Sequence, residues 1–97
     1  IMLQQNVSVY IVKGPFNVKT ANTISKGGLE YLVQPGRHFT VDLSQITKLD
    51  STLIAVMLDW IRNAKKMNKQ IKFTGANNSV RSLMAVYGLL GLIRLHE

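Results

Sequence analysis

Three consecutive oxygen-bearing side chains, Asp50, Ser51 and Thr52, stand just before the apolar run Leu53–Leu58. They offer one carboxylate and two hydroxyls at the point where a helix would begin, and two readings follow. Such oxygens cap the backbone N–H groups that a first helical turn leaves unpaired. They also suit a switch, a small exposed group whose chemical state decides whether a partner binds.

Other chemistry finds little to work with. Hydrolysis needs a nucleophile held beside a base, yet the chain has two histidines, His38 and His96, neither in a catalytic setting, and few carboxylates. Both are read as surface side chains. There is no cysteine, which removes thiol catalysis, disulfides and thiolate metal sites, and favours a cytoplasmic setting. His, Asp and Glu do not cluster at metal-ligand spacing, so neither a metal nor a cofactor is expected. The glycines match neither a P-loop nor the GxGxxG pattern. Gly27-Gly28 reads as a helix defect or a close backbone contact. The "NNS" at 77–79 fits a glycosylation acceptor, but the same residues serve as a helix cap.

The elements that must position the polar triplet follow from periodicity. "NVSVYIVKG" alternates Val7, Val9 and Ile11 against Ser8, Tyr10 and Val12, the period of a strand, and Gly14-Pro15 ends it. "TANTISKGGLEYLV" spaces Ala21, Ile24, Gly28 and Leu32 as a helix, weakened by about 1 kcal/mol for each glycine. "QPGRH" is a turn and "FTVDL" a short buried strand. After Asp50 the stripe Leu53, Val56, Met57, Trp60, Ala64 and Met67 predicts a long helix lying on a sheet. "QIKFTG" is a strand stopped by Gly75. "NNSVRSLMAVYG" is a capped helix with stripe Val80, Leu83, Met84 and Tyr87 and a C-terminal Gly88. The tail "LLGLIRLHE" fits a short strand or a helical turn. Strand and helix thus alternate, which predicts one α/β domain over residues 2–97, its mostly parallel sheet covered by helices. At 97 residues and 46% hydrophobic content the chain has material for one modest core.

Twelve Lys/Arg against five Asp/Glu give a net charge of +7, which attracts something acidic: nucleic acid, an anionic membrane face or an acidic protein. Lys65, Lys66, Lys69, Lys72 and Arg81 carry the nucleic-acid reading, but no stacking aromatics interleave with them, and cations at a helix end also complement its dipole. Nucleic acid is therefore not the expected partner. The longest unbroken apolar run, Leu53–Leu58, has six residues, whereas a membrane span takes about 20. No membrane-crossing segment and no secretory leader are expected.

Taken in order, Asp42-Leu43-Ser44, Asp50-Ser51-Thr52, "FTG" at 73–75 and "NNSVRSLMAVYGL" resemble the core of a STAS domain, the family of anti-sigma-factor antagonists and sulfate-transporter tails. "AKK" at 64–66, Gly75-x-Asn77 and Tyr87-x-Leu89 are similar to the branch that serves the Mla phospholipid-transport ABC system. The resemblance runs from about Val41 to Leu89. It departs in one place: the family commonly sets a glycine after the hydroxyl pair, where this chain has Leu53-Ile54.

The resemblance implies a STAS-like, anti-sigma-factor-antagonist-like fold and a non-enzymatic subunit, cytoplasmic and peripheral to the inner membrane through its complex. Its partner would be the ABC ATPase subunit, with ATP and lipid handled by other subunits. Asp50, Ser51, Thr52, Ile54 and Leu58 would form the docking contact. The alternative it implies is an anti-sigma-factor antagonist controlled by a partner kinase, with Thr52 or Ser51 as phosphoacceptor; Thr52 matches the serine of sigma-regulatory members and Ser51 the threonine of transporter subunits. A phosphate brings about −1.5 to −2 charge, which a helix N-terminus tolerates and a closely packed partner does not. Ile54, Leu58 and Ile61 form a second apolar line on the helix, either open to a partner or buried under neighbouring loops.

Overall fold

The computed structural model describes residues 9–90 and the backbone of residues 95–96. β1 (Val9–Pro15), α1 (Val18–Leu32), β2 (His38–Lys48), α2 (Thr52–Lys66), β3 (Gln70–Thr74), α3 (Asn78–Val86) and β4 (Leu95–His96) follow one another. The sheet has the order β1-β2-β3-β4 with every neighbouring pair parallel. Parallel neighbours in sequence order need crossover connections, and the general right-handed rule for these puts all three helices on one face, in keeping with the single core that residues of all three share. The burial alternation agrees. Phe39, Val41, Leu43 and Phe73 are buried, whereas Thr40, Asp42 and Thr74 between them remain partly open.

β1 obeys the same rule, and the structure turns its Tyr10–Val12 row inward while Val9 and Ile11 stay about 40% exposed. The reason is aromatic packing under the helices. The Tyr10 ring stacks on Tyr31 and meets Trp60 edge-on, both at 5.9 Å between centroids, and its hydroxyl donates to the Ile24 carbonyl at 2.9 Å. Residues 6–8 of the expected strand lie outside the described residues. The tail contributes Leu95–His96, paired with Phe73 and Thr74; residues 91–94 also lie outside the description.

α1 forms despite its glycine pair because both ends and one face favour it. Asn17 and Thr20 make a reciprocal capping box at its start. Gly28 lets the helix settle against α2: a Cβ there would lie 2.3 Å from the Trp60 ring. Trp60 then donates its indole N–H to the Ser25 carbonyl at 3.1 Å. Of the two readings of the glycine pair, close contact is the one observed.

β2 runs past Leu43 to Lys48, where the alternation is hidden by the polar pair Ser44-Gln45. Its register against β1 shifts between Ile11↔Asp42 and Lys13↔Gln45, an extra residue that bends the strand and returns Ile46 to the core. Asp42 holds the bend by accepting from the Ser44 N–H at 2.8 Å. Gly75, at φ +70°, packs on this bend; a Cβ would stand 2.8 Å from Ser44 Cβ and 2.9 Å from Asp42 Oδ1. Asp42-Leu43-Ser44 and Gly75 thus form one structural joint.

Both α2 and α3 end in the Schellman pattern, with Asn68 and Gly88 left-handed at φ 59° and 68°. Lys69 N–H reaches the Ala64 carbonyl at 2.8 Å and Leu89 N–H the Met84 carbonyl at 2.9 Å. Leu53, Met57, Trp60 and Ala64 are buried along α2, and Val80 and Met84 along α3. Tyr87, expected on the α3 stripe, is half exposed because the helix has ended before it.

Candidate functional site

The polar triplet sits at the carboxyl end of β2, the end of an open α/β sheet where sites usually form. Two neighbours converge there: Phe16 N–H donates to the Lys48 carbonyl at 2.7 Å, and Gly75 packs on the Asp42–Ser44 bend. The corner therefore rests on three strand ends.

Its three side chains divide the work. Ser51 occupies the N-cap position at φ −66°, ψ −11°, and its hydroxyl makes no capping bond. Asp50 performs the capping instead, its Oδ1 accepting the Thr52 N–H at 2.9 Å and the Thr52 hydroxyl in a short hydrogen bond. These two donors, the hydroxyl first, hold the Asp50 carboxyl below the usual aspartate range. Asp50 and Ser51 are exposed and Thr52 is half-buried. The outcome is one ionised carboxylate, one engaged hydroxyl and one hydroxyl free of the cap.

Directly behind the corner, Leu53 is fully buried and Ile54 is 4% exposed. This corrects the expectation that Ile54 faces a partner, since at the start of α2 it already lies within the core. Leu58 and Ile61 are half-buried against that core. The departure from the family's glycine is accommodated in the same way, because the Leu53 side chain is buried in the core. Ala55, one turn from Ser51, is the exposed position that the Ile54 expectation missed. It was legible, because a helical projection opposite Leu53, Met57 and Trp60 passes through Ser51, Ala55 and Arg62.

His38 begins β2, an eleven-residue strand that ends at Lys48; at about 3.3 Å per residue it is some 30 Å from the corner and supplies no base to the hydroxyls. Val86, the last residue of α3, and Tyr87, which follows it, are 79% and 50% exposed, a pair of apolar surface residues whose exposure the sequence did not signal.

A parallel sheet with one helical face and a capped hydroxyl corner after its second strand places the molecule among known structures. A protein assigned as an anti-sigma factor antagonist from Thermotoga maritima superposes with TM-score 0.79 at 15% identity, over 92% of this chain and 79% of that one. The anti-sigma factor antagonist SpoIIAA in its unphosphorylated form gives 0.76 at 13%, over 96% and 85%. The STAS domain of a SulP transporter from Vibrio cholerae gives 0.72 at 21%, over 98% and 76%. These likenesses define the fold as STAS. The family model described as "Mlab, STAS domain" matches residues 4–94, and the chain belongs to that family. No match was found among curated proteins.

Proposed function

We propose that this chain is a non-enzymatic interaction subunit of a phospholipid-transport ABC complex of the Mla type, docking on and supporting its cytoplasmic ATPase subunit. It is held at the inner membrane through that complex and brings no cofactor or metal to the transport reaction. The contact comprises Asp50, Ser51, Thr52 and Leu58, with Ala55 in the place first given to Ile54. One observation carries the reading: the exposed corner is braced from behind by buried Leu53 and Ile54, so it presents a fixed shape without spending core residues. The family match supports the choice of partner. Among the described residues no helix is long and apolar enough to cross a membrane, which suits a subunit that reaches the bilayer through others.

A second reading, a phosphorylation-controlled anti-sigma-factor antagonist, is favoured by the Ser51 hydroxyl, which is exposed and takes no part in the cap. Ser51 is the better acceptor of the pair. Phosphate on Thr52 would remove the donor that Asp50 holds and press two anions together, whereas phosphate on Ser51 meets the helix N-terminus.

Co-expression of the tagged chain with the ABC ATPase of the same host tests the first reading. A stoichiometric complex is expected, with Ser51→Glu and Thr52→Glu each lowering affinity at least about tenfold, the loss of roughly 1.4 kcal/mol. If both variants bind like the native chain, the corner is not the contact. Recovery of a sigma-binding kinase in place of the ATPase establishes the second reading.

A further inference from the structure

At the opposite end of the sheet from the corner, the α1–β2 and α2–β3 connections enclose a cleft of about 370 Å³ lined by Arg37, His38, Lys65, Asn68, Lys69 and Gln70. We infer that this cleft is a binding site for a phosphate group, carried by a small phosphorylated ligand or by an anionic phospholipid headgroup.

The lining has donors of every suitable kind and no carboxylate. Arg37 offers a fork of N–H groups, Lys65 and Lys69 offer ammonium groups, and Asn68 and Gln70 offer amides. The cleft is also held in shape. Asn68 takes the left-handed conformation that turns the chain from α2 into β3, and Gln70 N–H donates to the Arg37 carbonyl at 2.6 Å. Lys69 Nζ donates to the Leu32 and Gln34 carbonyls, the latter at 2.7 Å, and lies 4.9 Å over the Phe39 ring. An ammonium with three N–H groups keeps one for a ligand after those two bonds.

Two helix C-termini meet here, and their dipoles oppose an anion with roughly half an elementary charge each, about one in total. Arg37, Lys65 and Lys69 supply three positive charges. The surplus is about two. Lys69 moreover bonds carbonyls at the α1 end, and the Schellman bonds satisfy those of α2, so the opposing partial charges are already engaged. A basic group placed only to offset the dipoles would need far fewer cations. At about 370 Å³ the space suits a small ligand or headgroup and is at the lower end of ordinary ligand sites.

The test uses the whole chain at about 0.15 M salt, where exposed charges are screened beyond about 8 Å. Inorganic phosphate and glycerol phosphate are titrated while backbone amide shifts are followed by NMR. Flotation with phosphatidylglycerol vesicles, against phosphatidylcholine vesicles, forms the second arm. Arg37→Gln with Lys65→Gln removes two exposed cations from the cleft, and Lys19→Gln with Lys48→Gln removes two exposed cations near the other end; circular dichroism checks that both doubles fold. Saturable shifts at residues 36–38 and 68–70 are expected, with affinity lost at least tenfold in the cleft double and changed less than twofold in the control. Binding of the small phosphates alone identifies a free ligand. Binding of phosphatidylglycerol vesicles with the same dependence on the cleft identifies the headgroup. Equal loss in the two doubles, or no saturable binding in either arm, overturns the inference.

Discussion

Gly28→Ala tests whether the seam between α1 and α2 positions the corner, because α2 presents the corner at its start and leans on α1 through Trp60. The added Cβ would stand 2.3 Å from Trp60 Cε2 and 2.5 Å from its Cζ2 and Nε1. Three terms decide the outcome. Replacing glycine within a helix gains about 1 kcal/mol. Forcing an extra carbon into a packed core costs about 1–3 kcal/mol. Pushing the indole away also weakens its bond to the Ser25 carbonyl, worth about 1 kcal/mol. The net is a loss of about 1–3 kcal/mol, or roughly 5–20 °C in Tm for a domain of this size. Urea unfolding and a thermal scan measure it. Trp60→Phe removes the indole atoms that clash, so in that background the Gly28→Ala penalty shrinks by at least about 1 kcal/mol in a double-mutant cycle. A Gly28→Ala protein as stable as the native chain, or more so, refutes the close-contact explanation, because propensity alone would then be governing the site.

Ile54→Ala and Ala55→Glu should separate core from surface: the first costs about 2–5 kcal/mol in unfolding, while the second leaves the Tm close to native and weakens capture of the ATPase subunit. Thr52→Val takes away the hydroxyl that Asp50 accepts, so the Asp50 carboxyl, followed by NMR titration, rises toward the usual aspartate value near 4. The native Asp50 carboxyl is held low, so its stabilising contribution is complete above the usual aspartate range and is lost as acid titrates it; the stability difference between the native chain and Asp50→Asn should accordingly shrink as pH falls below about 4. Lys69→Met leaves carbonyls at the end of α1 without their cation and is expected to lower unfolding stability by about 2 kcal/mol, read by urea denaturation. Gly75→Ala must adopt the left-handed conformation and press on Ser44, costing at least about 1–2 kcal/mol; Gly88→Ala, also left-handed but with open space around its Cβ, should cost less.

Much of this architecture was written in local pattern. The stripe from Leu53 to Ala64 has one period and one solution, a helix with its apolar side down, and α2 follows it. The turns at Gly14-Pro15, Gly75 and Gly88 were equally plain, because few residues other than glycine take a positive φ cheaply. Asp50-Ser51-Thr52 was recognisable as a helix start for the same kind of reason, a short-range match between side-chain oxygens and unpaired N–H groups. All of these depend on neighbours within about one turn of chain.

What needed the tertiary structure was every choice between two locally equal alternatives. Whether Val9 and Ile11 or Tyr10 and Val12 face the helices depends on Tyr31 and Trp60, which are far away in sequence. Gly27-Gly28 looked like a flaw until Trp60 came to rest on it. Ile54 belongs to the core because α2 enters the fold beneath its neighbours, and Asp50 caps in preference to Ser51 because of backbone angles that no residue type dictates. The basic cleft joins residues 37 and 38 to residues 65–70 across a crossover, a grouping that has no counterpart along the chain. Local pattern specifies which elements form, since that energy lies within a few residues; their faces and meeting points are settled by packing between distant segments.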